Sequence, residues 1–370
     1  EKTKHYFFKL KNFSDKLSEY LNGNQNLQKD VKKYVQNWIK EGLTDWDITR
    51  DISWGVPVPV DGVNDKVFYG WFDNHLAYIS SAVKFLNDNG KDGKKFWNES
   101  DIYHFIGKDI VYHHYLFLPA MRLGIGEEYK LPDYIPTRGH LTLQAKKISK
   151  SRNWYIGLKD FLQIFPADYL RFYLVSINPY SQDDLNFDWD EFATKINSEL
   201  IGNLGNLVNR ALGFTVKAFD SIVPVPEEFD DMDKESEKAI KDLGSEVSVL
   251  MEQNHLDRAL KKILQFSAHF NQYFQHKEPW KKDHGTRSCV YLSVNAVRSL
   301  AIAIYPFLPK SSQKIWVQLG MDGDVSAQPF DEISNITIKQ GHNLGKISPL
   351  FEKVEESVIE EQKKKLGVNI

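Results

Sequence analysis

Lys147 and Lys150 lie three residues apart in the run Lys147-Ile148-Ser149-Lys150-Ser151, with the Ser149 hydroxyl between them and that of Ser151 after them. Mobile ammonium donors at this spacing suit a polyphosphate, because they can meet negative charge as it develops on transferring or leaving oxygens. Such a loop has to be exposed, since its lysines must reach a ligand and release it. The same five residues also suit a solvated basic turn between strands, so the surrounding chain has to decide.

Three other groups of residues carry possible chemistry. Gly107 and Asp109 fit a tight turn into a helix start, where a missing Cβ admits a ligand and a carboxylate accepts hydrogen bonds from a hydroxyl or amino group; capping of the helix is the structural alternative for Asp109. Trp71 and Tyr78 are candidate walls of an apolar side-chain pocket, closed by Ile110 and His114 one turn apart, although His114 is as readily a satisfied core histidine. Asn206 and Arg210 stand four residues apart on one helix face, and Trp280, held by Pro279, can stack on an unpaired base or serve as core at a helix junction.

Alternating elements must position the first of these groups. The spacing of Val31, Tyr34, Val35, Trp38 and Ile39 predicts an amphipathic helix closed by Gly42. Strands are expected over 67–71, 101–106 and 135–143, with helices over 76–86 and 109–123 between them. Strand and helix in alternation imply a parallel sheet, whose ligands sit beyond the carboxyl ends of its strands. Asp73, Asn74, Gly107, Asp109 and the lysine loop are therefore expected at one rim.

Past Pro166 the pattern turns helical. One stripe runs through Leu170, Tyr173, Leu174 and Ile177, and an acidic loop is expected over 179–188. A long helix over 189–219 contains Gly202 and Gly205, small residues that permit close approach of another helix or of RNA. Further helices are expected over 234–252, 256–276, 288–305 and 350–365, packed antiparallel, with Lys363 to Lys365 at the carboxyl end of the last.

Composition narrows the classes. A chain of 370 residues, 42% hydrophobic and 26% charged, can bury sizeable cores in two or three domains. No apolar run approaches the roughly 20 residues of a membrane span, so no membrane partner is expected. Cys289 is the single cysteine, which excludes an internal disulfide framework and a cysteine-based zinc site in this segment; set among Val290, Tyr291 and Leu292, it reads as a buried structural thiol. A formal net charge of −3 argues against a generic nucleic-acid binder, leaving local basic patches and shape to recognise any RNA.

The order of the motifs resembles the methionyl-tRNA synthetase family. Lys147 to Ser151 is similar to the KMSKS loop of class I aminoacyl-tRNA synthetases, with Ile148 in place of methionine. Trp46-Asp47-Ile48-Thr49-Arg50-Asp51, Val67-Phe68-Tyr69-Gly70-Trp71-Phe72-Asp73, His104-Phe105-Ile106-Gly107-Lys108-Asp109-Ile110 and the stretch from Asn271 to Trp280 resemble further segments of that family, in the same order. One departure is visible: where the family usually reads Ala-Pro-x-Gly-Tyr, this chain has Asn74-His75-Leu76-Ala77-Tyr78.

The resemblance implies a fold that is α/β followed by all-α. Residues 1–138 would be the end of a connective insertion and the second half of a Rossmann-like catalytic domain, 139–188 a stem region carrying the loop, 189–345 an anticodon-binding helical bundle, and 346–370 a tail helix. It implies ATP with Mg²⁺, methionine and tRNA(Met) as substrates and partners, and a cytoplasmic enzyme. It assigns Lys147 and Lys150 to catalysis, Gly107, Asp109, Lys147, Ser149, Lys150 and Ser151 to ATP, Trp71, Tyr78, Ile110 and His114 to methionine, and Asn206, Arg210 and Trp280 to the anticodon. The family's His-x-Gly-His type signature occurs nowhere in these 370 residues, so a carboxy-terminal fragment, inactive alone, is the expectation. A synthetase for another apolar amino acid and a non-catalytic tRNA-binding relative are the rival readings.

Overall fold

The computed structural model describes residues 3–126 and 129–367. Two compact units divide the chain, Glu1–His140 and Leu141–Ile370, and each has its own core.

In the first unit, the helices Ser14–Gly23 and Lys29–Glu41 bury Leu17, Leu21, Val31 and Val35 against Tyr115, Leu116 and Ile135. Gly42 ends the second helix at φ 103°, a conformation a side chain would resist. The strand Ile106–Gly107 pairs in parallel with Thr137–Arg138, and a bridge between Tyr103 and Tyr134 keeps the same register. Parallel neighbours need a crossover, and here a helical run from Lys108 to Gly124 supplies it. That run is one helix, as its periodicity suggests, but its middle, His113–Phe117, is a π-turn in which the Leu118 N–H bonds the His113 carbonyl; Pro119, which has no N–H to donate, follows at once.

Several expected strands are shorter than their apolar runs. Val67–Phe68 pairs antiparallel with Thr49–Arg50 and ends because Gly70–Asp73 turns helical, the Phe72 N–H bonding the Tyr69 carbonyl. The run over 135–143 is two strands, Thr137–Arg138 in the first unit and Leu141–Leu143 in the second, parted at Gly139-His140. Only the end of 101–106 is regular strand, since its ladder rests on the His104 and Ile106 N–H groups bonding the Tyr134 and Pro136 carbonyls.

The second unit opens with a three-stranded sheet in which Leu141–Leu143 lies between antiparallel Lys146–Lys147 and parallel Leu185–Phe187. The last of these corrects the expected loop over 179–188. Three residues between Asp184 and Asp188 are too few to show alternation, yet Phe187 is buried and Asp188 caps the next helix by accepting from the Asp190 and Glu191 N–H groups.

Helices then follow as the periodicity requires. Trp189–Lys195, a π segment Ile196–Gly205 and Asn206–Phe219 form one continuous run, followed by Asp231–Glu252, Leu256–Lys277, Thr286–Ile304 and Pro309–Gln318. The close neighbour of Gly205 is protein: a Cβ there would lie 3.1 Å from the Phe351 ring. The tail helix is Glu356–Lys365, starting later than expected because 350–355 packs in extended form, with Val354 buried and its backbone bonded to the Asn197 amide. Cys289 is fully buried, which pushes its thiol up to about 12. Among the described residues no helix is long and apolar enough to cross a membrane, and no three or more His, Cys, Asp or Glu are grouped to hold a metal.

Candidate functional site

The lysine loop grows from a tight hairpin. Leu143 and Lys146 face each other across Gln144 and Ala145, both at positive φ (49° and 58°), the backbone a two-residue hairpin of matching twist demands. Ser149 and Trp154 then exchange both backbone hydrogen bonds, closing a turn over Lys150–Arg152 that Asn153 ends in the left-handed region. Trp154 anchors the turn: its indole N–H donates to the Leu143 carbonyl at 2.8 Å, and the Lys146 ammonium lies 4.3 Å from its ring centre. The Ser149 and Ser151 hydroxyls are 3.2 Å apart. Lys147 and Lys150 are exposed and have no ion-pair partner among the described residues. A rigid base thus carries two free ammonium groups.

Gly107 precedes the turn Lys108–Ile110, so Asp109 sits inside the first turn and does not cap it. A Cβ on Gly107 would come 2.5 Å from an oxygen of the exposed Asp109 carboxylate, so a side chain here would make that carboxylate shift. Asp109 is exposed, with His140 3.6 Å away.

Tyr78, Ile110 and His114 come together. The Ile110 carbonyl can only accept, so His114 carries its proton on Nδ1 (3.1 Å), and Nε2 accepts from the Tyr78 hydroxyl (3.1 Å). Both nitrogens are used internally, burial lowers the imidazole's proton affinity, and the residue is only 1% exposed. Trp71, 42% exposed, lies 4.8 Å from the His113 ring and 6.1 Å from His75. His75 and His113 stack at 5.1 Å, an arrangement the sequence did not announce. His75 donates Nδ1–H to the Trp71 carbonyl, and its buried Nε2 has no partner. Burial first, then the neighbouring His113 and His114, push His75 down to about 4. Burial and then Arg122 push His104, edge-on to Tyr78 at 4.6 Å, down to about 3.

A third cluster occupies the helical bundle. Asn206 donates to Asn271 at 2.8 Å, and Arg210 donates to Gln275 at 2.9 Å. The Arg210 guanidinium lies 5.1 Å from the Phe274 ring and 6.0 Å from that of Trp280. Trp280 is 43% exposed, so its indole is not sealed in the core; Glu278 at φ 42° and buried Pro279 fix its turn.

Two family profiles match this chain. The one described as tRNA synthetases class I (M) matches residues 1–212, and the anticodon binding domain of methionyl tRNA ligase matches residues 223–369. The chain belongs to the methionyl-tRNA synthetase family. The methionine–tRNA ligase of Methanopyrus kandleri is 40% identical over 369 residues, 98% of this chain and 54% of that protein. That of Pyrococcus horikoshii is 40% identical over 375 residues, 96% and 51% respectively. The chain spans about half the length of these curated relatives. Mycobacterium tuberculosis methionyl-tRNA synthetase in complex with methionyl-adenylate superposes with a TM-score of 0.84 at 28% identity, over 94% of this chain and 68% of that one. Class I synthetase architecture, a small parallel sheet followed by a helical anticodon domain, is therefore the fold of this family member.

Sequence reasoning missed His113, Asn203 and Asn271 as individual partners. His113 adjoins His114 and carries no spacing signal of its own. The Asn203 to Asn206 interval marks one helix face, but the link to Asn271 spans 65 residues.

Proposed function

We propose that the protein carrying these residues is a methionine-tRNA ligase of the cytoplasm, which activates methionine with ATP and passes the methionyl group to the terminal ribose of tRNA(Met). The observation that carries this reading is the lysine hairpin with the turn that follows it, which hold Lys147 and Lys150 exposed and without an ion-pair partner among the described residues. In the first step a methionine carboxylate oxygen bonds to the α-phosphorus while the bond to pyrophosphate breaks, so no protein nucleophile is needed. The task left to the protein is to neutralise spreading negative charge, which two mobile ammonium groups and the Ser149 and Ser151 hydroxyls suit. Magnesium would arrive on the nucleotide's phosphates. Gly107 and Asp109 supply a close-approach turn and an exposed acceptor for a ribose hydroxyl or amino group.

For the amino acid, Trp71, Tyr78, Ile110 and the neutral His114 ring provide an uncharged wall suited to a thioether. For tRNA, Asn206, Arg210 and the half-exposed Trp280 offer a hydrogen-bonding amide, a cation and a stacking face.

Methionine-dependent exchange of pyrophosphate into ATP is the test. The 370 residues contain no His-x-Gly-His, and alone they should give no exchange. In a protein joining them to such a segment, methionine but not leucine, isoleucine or valine should drive it, and Lys150→Ala should lower kcat by about 100- to 1,000-fold. Exchange by the isolated chain overturns the fragment reading, and equal exchange with leucine overturns the methionine assignment.

A further inference from the structure

The segment that follows the helical bundle runs back over the second unit and reaches the lysine turn. It is fastened at successive points on the way. The Tyr169 hydroxyl accepts from the Glu352 N–H and donates to the Glu352 carbonyl, both at 2.7 Å. The Asn197 amide bonds the Val354 backbone twice at 2.9 Å, and the Lys363 ammonium lies 2.6 and 2.7 Å from the two Asp190 carboxylate oxygens. The last fastening is on the turn itself, where the Gly367 N–H donates to the Asn153 carbonyl at 2.9 Å. Gly367 has φ 75°, and a Cβ there would lie 3.4 Å from the Trp154 ring, so glycine presents its N–H at this place without strain. Asn153 passes the contact on. It stands in the left-handed conformation that asparagine tolerates, and its own N–H donates to the Lys150 carbonyl at 3.0 Å. Two hydrogen bonds in series therefore join the tail to the backbone of Lys150.

We propose that Gly367 is a positioning residue for the lysine turn: by holding Asn153 it keeps the Lys150 backbone in the conformation that presents the ammonium groups to a polyphosphate. This rests on the reading of Lys147 and Lys150 as polyphosphate contacts. Exposed turns open at little cost, and a ligand that has to order its own binding groups loses that entropy from its affinity. The Ser149–Trp154 backbone pair and the Trp154 indole on the Leu143 carbonyl hold the turn from one side; the tail holds it from the other. The side chains of Lys147 and Lys150 stay mobile while the backbone beneath them is set in advance, so the order of the turn depends on a segment remote from it in sequence.

A nitroxide on Arg152→Cys reports the turn in the full 370-residue chain without requiring catalysis, because Cys289 is fully buried and takes no label. Gly367→Pro has no N–H to donate and cannot adopt φ 75°. In that variant the label's mobility should rise about threefold or more, and the apparent Kd for inorganic tripolyphosphate, read from the same spectra, should weaken about five- to tenfold. A chain shortened to end at Leu366 should match Gly367→Pro, whereas one ending at Gly367 should match the full chain. A second label at Lys314→Cys, on the helix Pro309–Gln318, should respond in none of them. Should both labels loosen together, or the turn loosen with tripolyphosphate affinity unchanged, Gly367 is merely structural and the proposal fails. Equal mobility of the turn with and without the Gly367 N–H overturns it as well. If instead tripolyphosphate leaves the label untouched in the full chain, and Lys147→Ala combined with Lys150→Ala changes nothing, the polyphosphate reading of the two lysines is what fails, and the tail has no ligand to serve.

Discussion

At the scale of single residues, the chain's exposed chemistry was easier to read than its buried chemistry. Lys147 and Lys150 stand out because the residues of their exposed loop are consecutive in the chain. His114 was a choice between pocket and core, and the structure shows its nitrogens satisfied internally, by the Ile110 carbonyl and the Tyr78 hydroxyl. That pairing makes Tyr78→Phe informative. The variant leaves the ring in place and strips the donor from His114 Nε2, a nitrogen in a side chain only 1% exposed. It should cost about 1–2 kcal/mol in urea unfolding followed by tryptophan fluorescence. An unchanged midpoint would mean that water reaches Nε2 as well as the phenol does. The stacked pair of His75 and His113 was not legible, because the two residues are 38 positions apart in the chain and His113 opens a π-turn that breaks the helical period.

Elements were legible in proportion to their length. Helical stripes over 234–252, 256–276 and 288–305 anticipated Asp231–Glu252, Leu256–Lys277 and Thr286–Ile304 closely, because a face repeated over five turns leaves little choice of register. Two- and three-residue strands gave no such repeat. Close backbone approaches were also hidden, and two glycines show how differently one substitution acts. A Cβ on Gly345 would lie 2.3 Å from the Val317 carbonyl, where the segment after the bundle docks on the end of Pro309–Gln318 and the Gly345 N–H bonds the Gln318 carbonyl. Backbone cannot yield as a side chain does, so Gly345→Ala should lose about 2–3 kcal/mol of stability. Gly213, inside Asn206–Phe219, would bring its Cβ no nearer than 3.8 Å to Asn209, and Gly213→Ala should gain up to about 1 kcal/mol from helix propensity. Matching urea midpoints for the two variants would show that neither site behaves as its surroundings require.

Across the whole molecule, the succession of α/β and all-helical halves was visible in the change of period after Pro166, but the uneven distribution of acid sensitivity was not. Four histidines with lowered proton affinity, His75, His104, His113 and His114, are concentrated in the first unit, where all but His113 also feel the charge of buried Arg122; among the described residues of the second unit only His269 is lowered, by burial. The sign follows from which state takes up protons. An unfolded chain protonates imidazoles near pH 6.5, whereas folded His75 and His104 resist until about 4 and about 3. Stability is therefore complete above about pH 6.5 and is lost as the pH falls toward 4, by about 1.4 kcal/mol per pH unit for each such ring. The lowered carboxylates, Asp51 and Asp230 among them, act in the same direction only below their ordinary value of 3.8. Hydrogen exchange at pH 7, 6 and 5, corrected for intrinsic rates, should show protection draining from peptides within 3–126 well before those from the helical bundle. His104→Phe keeps a ring against Tyr78 but cannot titrate, so its stability loss between pH 6.5 and 5 should be smaller by about 2 kcal/mol. Parallel pH curves for the variant and the unaltered chain would place the acid sensitivity elsewhere, and uniform loss of protection across both units would remove the histidines as its cause.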